Sequence, residues 1–150
     1  MSQSLAQVYL HLVFSTKNRS PYLSHKPTRE SLHAYLATVS ETLKSPSIKV
    51  GGIEDHVHLL VRFGRTLSIA TLIKELKRTS SIWIKREFNI SDFDWQNGYG
   101  AFSISPSHVS PLTKYIANQE EHHKKESFQE ELRRLLKKYQ VSYDERYVWV

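Results

Sequence analysis

No cysteine occurs among the 150 residues, which excludes disulfides and thiolate metal sites. The absence fits a reducing compartment, and a cytoplasmic location is expected. No apolar run approaches the roughly 18 residues needed to span a bilayer. The opening residues, Met1-Ser2-Gln3-Ser4, lack a basic stretch followed by an apolar core, so no signal peptide is expected. Glycine and proline are scarce, at five each, and neither a low-complexity linker nor an internal repeat divides the chain. One domain over residues 1–150 is therefore expected. Acidic residues are the minority: 21 Lys and Arg stand against 15 Asp and Glu, a net charge of +6. That balance leans towards a polyanionic partner.

Hydrophobic periodicity supplies the elements. In the segment from Gln7 to Ser15, Val8, Leu10, Leu12 and Phe14 alternate with Tyr9, His11 and Val13, the period of a strand. A loop with Pro21 and Pro27 follows. Leu32, Tyr35, Leu36, Val39 and Leu43 then recur at helical spacing, and Ser45-Pro46 closes that helix. Ser47–Ile53 and His56–Phe63 read as strands joined by a tight turn at Glu54-Asp55, hence a hairpin. Thr66 or Ser68 caps a long helix to about Phe88, with Ile69, Leu72, Ile73, Leu76, Ile82 and Trp83 on its apolar side. Gly98 to Ser105 is a short strand, Leu112 to about Lys125 a helix, and Ser127 to Tyr139 a last charged helix. The order strand–helix–strand–strand–helix–strand predicts an α+β, ferredoxin-like split βαβ fold. Its antiparallel sheet carries two helices on one face. The helix beginning at Leu112 is left for the other face.

Two signals carry chemistry. On the strand, His56 and His58 are two apart and leave the same face. Two neutral imidazoles there can bind one divalent ion; the plainer reading is a pair of solvent-facing histidines. On the leftover helix, Tyr115, Asn118, Gln119 and His122 share one face by spacing; the plainer reading is a packed tyrosine and solvated amides. Taken together they fit one site. An ion held by His56, His58 and the Gln119 carbonyl oxygen keeps open positions for phosphodiester oxygens, where it acts as a Lewis acid. Tyr115, one turn away, is placed for attack on phosphorus. Lys74, Lys77, Arg78, Lys85 and Arg86 are candidate phosphate contacts or simply the solvated face of the long helix. His11 is a candidate border of the site.

These residues resemble the single-tyrosine HUH transposases of bacterial insertion sequences. The resemblance runs through VYLHLVFSTKNR, VGGIEDHVHLLVRF, WQNGYGAFSIS, YIANQEEHH and SFQEELRRLLKKYQVSYDERYVW, nearly the whole chain. It implies Tyr115 as the catalytic residue. It also implies His56, His58 and Gln119 as ligands of Mg2+ or Mn2+, preferring Gln119 over His122 and His123. The implied activity is cleavage and rejoining of single-stranded DNA with hairpin ends through a 5′-phosphotyrosine, without a nucleotide cofactor. The implied assembly is a homodimer whose sites are shared in trans. Two other classes compete: a non-catalytic module of RNA-recognition type, which shares the sheet, and a metal hydrolase built on the His pair.

Overall fold

A computed structural model describes residues 2–150. Four strands form one antiparallel sheet: β1 (Tyr9–Ser15), β2 (Ser47–Ile53), β3 (His56–Arg62) and β4 (Gly100–Ile104), in the order β2-β3-β1-β4. With helices α1 (Lys26–Thr42) and α2 (Ile69–Phe88) in the two crossovers, this is the expected split βαβ arrangement. Ser68 caps α2 by accepting from the Thr71 amide, which satisfies one of the first-turn amides. Among the described residues no helix is long and apolar enough to cross a membrane.

The strand period separates two cores. Leu10, Leu12 and Phe14 of β1 and Val57, Leu59 and Val61 of β3 face α1 and α2, where Leu32, Leu36, Leu72 and Leu76 complete the main core. The intervening residues His11, Val13, His56, His58 and Leu60 face the other way and are also fully buried or nearly so. Ile82 of α2, expected on the apolar side, is 54% exposed.

The second face is covered by the C-terminal third of the chain. The helix expected as one piece from Leu112 is two: α3 (Val109–Ala117) and α4 (Gln119–His122), broken at Asn118. Asn118 leaves the helical region at φ −99° and ψ 22°. A further helix, α5 (Phe128–Lys138), starts at a capping box between Ser127 and Glu130. Its Phe128, Leu132, Leu135 and Leu136 pack on Val13 and Phe102. The tail is tied back: Arg19 donates to the Trp149 carbonyl at 2.9 Å, and the Asn97 amide to the Val150 carbonyl at 3.1 Å.

The seating of α3 requires a glycine. A Cβ on Gly51 would lie 2.5 Å from the Ile116 carbonyl oxygen and 2.8 Å from its side chain. The Gly51→Ala protein should therefore lose about 1–3 kcal/mol of stability, the usual cost of overpacking. It should also displace α3 from β2. Chemical denaturation checks the first effect, and weakened Mn2+ binding in calorimetry the second.

Candidate active site

His56 and His58 leave β3 on the sheet face covered by α3, α4 and α5. Register sets them opposite Ser15 and Val13 of β1. Both are 0% exposed. The tight turn places Asp55 beside His56, and the two meet through Nδ1 at 2.7 Å. The His58 Nδ1 meets His11 Nε2 at 2.8 Å. Each ring is thus held through Nδ1, so both Nε2 atoms point to one place. Metal-ligating histidines are held this way, with the outer nitrogen fixed by a neighbour.

The position between them holds a carboxylate. Glu131 of α5 is 0% exposed. Its Oε1 lies 2.9 Å from His58 Nε2, 3.3 Å from His56 Nε2 and 3.1 Å from His123 Nε2. Its Oε2 accepts from Gln119 Nε2 at 3.1 Å and from the Tyr115 hydroxyl. Gln119 also presents Oε1 to His56 Nε2 at 2.9 Å. Donor atoms of His56, His58, His123 and Glu131 all lie within 4.8 Å of one another. Imidazole nitrogens and a carboxylate, with an amide oxygen alongside, suit a divalent metal.

Charges here are strongly coupled. Burial opposes the charge on His56, but the hydrogen bonds it donates to the Asp55 and Glu131 carboxylates prevail and raise it to about 9. Burial holds His58 down, against the pull of Glu131. Burial also opposes the charge on Glu131, yet the surrounding imidazoles keep its carboxyl far below the usual carboxylate range. The arrangement is an ionised Glu131 paired with a charged His56 beside a neutral His58. A group whose folded value is raised stabilises fully below its unfolded value of 6.5 and loses that contribution as pH rises through about 9. Metal-free protein should therefore lose stability from pH 6.5 to about 9, and the His56→Asn variant should lack that loss. Denaturation midpoints measured in chelator across this range check it.

Tyr115 reaches the cluster from α3. Its oxygen donates to Glu131 and accepts from Arg134 at 2.8 Å, with His122 Nε2 at 3.3 Å. Burial and the Glu131 charge push the phenol well above its ordinary value, while Arg134 opposes them. At rest the phenol is protonated and a weak nucleophile.

All four residues expected at the site therefore meet, and they meet within one chain. The five basic residues do not join them. Lys74, Lys77, Arg78, Lys85 and Arg86 lie on α2, across the sheet from the histidines. Lys77 donates to the Gln96 and Gly98 carbonyls at 2.7 Å each, and burial lowers it to about 8. The other four are exposed on the surface of α2. Glu131, Arg134 and Asp55 were not foreseen. The signal for Glu131 lies in the spacing of α5: it falls on the apolar stripe with Phe128, Leu132 and Leu135. A carboxylate on a buried stripe needs a partner.

A family model described as "Transposase IS200 like" matches residues 4–119. The chain belongs to that family. Two solved structures share this transposase's fold. A candidate transposase from Deinococcus radiodurans R1 is 20% identical over 79% of this chain and 98% of its own, with a TM-score of 0.62. A REP-associated tyrosine transposase bound to a REP hairpin is 13% identical over 82% of this chain and 74% of its own, with a TM-score of 0.58. No curated protein matches. The family match ends at Gln119, so α5 and its Glu131 lie beyond it.

Proposed function

We propose that this transposase cuts and rejoins single-stranded DNA by transesterification on Tyr115. The observation that carries the reading is the Tyr115 hydroxyl bonded to the carboxylate that also joins His56 and His58. The phenolic oxygen attacks phosphorus, the bond to the 3′-oxygen breaks, and a 5′-phosphotyrosine and a free 3′-hydroxyl result. In net terms the phenolic proton is exchanged for the one taken up by the departing 3′-oxygen. Arg134 holds the negative charge that develops on the phenolic oxygen. Rejoining reverses these steps with another strand's 3′-hydroxyl, so no water or nucleotide cofactor is consumed.

His56, His58, Gln119 and Glu131 would hold the divalent ion, with His123 in reach. Bound there, the ion supplies Lewis-acid withdrawal from the phosphodiester and offsets the Glu131 charge that keeps the phenol protonated. Nitrogen-rich donors favour Mn2+ over Mg2+, which prefers oxygen ligands and retained water. The DNA partner proposed is a single strand with a hairpin. A dimer would pair through β4, one of the two edge strands. Sharing of sites between chains is not required, since one chain assembles Tyr115, Gln119 and both histidines.

The test is incubation with single-stranded DNA from the repeats flanking the gene, with Mn2+ or Mg2+, followed by denaturing electrophoresis. A covalent protein–DNA adduct supports the reading. Cleaved DNA without adduct would place the protein with metal hydrolases. Binding without cleavage or metal uptake would fit a module of RNA-recognition type.

A further inference from the structure

Beside Tyr115 the sheet face opens into a cavity of about 260 Å3. Its floor is His11 of β1, Ile104 at the end of β4 and Leu135 of α5, all buried. Leu112 and Tyr115 of α3 form one wall and Tyr139 the other. The Tyr139 ring is itself fixed, stacked on Phe102 at 4.6 Å and 16°. Arg134 and Lys138 stand exposed at the mouth. One polar group in the floor is unused by the fold. His11 is 0% exposed, and while its Nε2 is taken by His58, its Nδ1 has no hydrogen-bond partner. Buried ring nitrogens ordinarily have one.

We propose that this cavity seats the base of a nucleotide flanking the phosphate that Tyr115 attacks. The proposal rests on the reading of Tyr115 as nucleophile. A base has flat apolar faces and a polar edge. The cavity offers aromatic and aliphatic walls for those faces. Cations at the mouth complement the phosphates on either side of the base. Tyr115 belongs to both the cavity and the metal-site cluster, so an occupant lies next to the reacting phosphorus. Only an unpaired base can enter, which makes the cavity a filter for single strands.

The wild-type adduct first locates the cut, from the length of the strand released with a 3′-hydroxyl. Oligonucleotides with one abasic site on either side of that phosphate are then titrated against the Tyr115→Phe protein, which keeps the ring as a wall but does not cleave. Anisotropy should show about 10-fold weaker binding at one flanking position, the scale of one lost base stack, and none for an abasic site several nucleotides away. Adding Leu112→Trp fills the cavity and should erase the difference between intact and abasic strands. Adding Lys138→Ala should weaken both strands alike. The proposal is overturned if neither flanking abasic site weakens binding, or if Leu112→Trp keeps the full difference. If Leu112→Trp does not fold, the abasic scan alone decides. An adduct without an abasic penalty removes the cavity's role and leaves Tyr115 standing, whereas no adduct with any strand removes both.

Discussion

Tyr115→Phe protein should form no covalent adduct with single-stranded DNA, while folding and binding that DNA much as wild type does. The change removes one oxygen and leaves the ring, which packs with Leu60, Ile104 and Ile116. The cost in stability should be about 1–3 kcal/mol, that of the hydrogen bonds to Glu131 and from Arg134. It should be no larger because the Glu131 oxygen freed by the change keeps Gln119 as donor. The cost in chemistry should be complete, since no other hydroxyl among the described residues is bonded to Glu131. Arg134→Ala should act through the same atom but less severely. It removes the group that opposes the raised phenol, so adduct should form slowly and recover as pH rises. Adduct formed by the Phe protein at the wild-type rate would remove Tyr115 as nucleophile. An Arg134→Ala rate equal to wild type at every pH would remove the arginine from the chemistry.

Much of this site was legible because its parts lie in local patterns. The alternation of β1 and β3 assigns each residue to a face, so His56 and His58 had to leave together, away from α1 and α2. Ser47–Ile53 agrees with its expected bounds because a tight turn and a proline flank it. The rest depended on tertiary contacts that spacing does not record. Asn118 interrupts the helix, yet Gln119 still reaches His56, so the expected proximity arises through a geometry that is not a continuous helix. Lys77 reads equally as a phosphate contact or a solvated side chain, and the Gln96 and Gly98 carbonyls that hold it lie in a loop that spacing does not place. The charged C-terminal helix was expected as an element, but its docking on the sheet was not. It reads as a solvated element by composition, whereas four apolar side chains bury it on the sheet and carry Glu131 into the cluster with them.

Glu131→Gln should weaken Mn2+ binding at least 10-fold and suppress adduct formation with it. Without Glu131 the cluster consists of neutral imidazoles and a neutral amide once the ion displaces the proton from His56. A divalent charge buried among neutral donors keeps only Asp55, behind the His56 ring, as counter-charge, a costly arrangement. Loss of an outer partner of a metal ligand already costs roughly 10–100-fold in affinity, and Glu131 stands among the ligand atoms themselves. The opposite outcome has its own physical logic. If Glu131 serves only as a counter-ion that pins His56 and His58 in the metal-free protein, it competes with the cation, and Gln would raise the affinity. Calorimetric titration with Mn2+ separates the two by sign. Glutamine keeps the volume of glutamate, so α5 should stay docked, which a retained cooperative circular dichroism melt in chelator verifies. Glu131→Ala is the harsher companion: it leaves the buried His56 charge with Asp55 as its one remaining carboxylate. That variant should lose both metal affinity and α5 packing. A Gln protein that binds Mn2+ as tightly as wild type would take Glu131 out of the ligand set and leave His56, His58 and Gln119 to hold the ion.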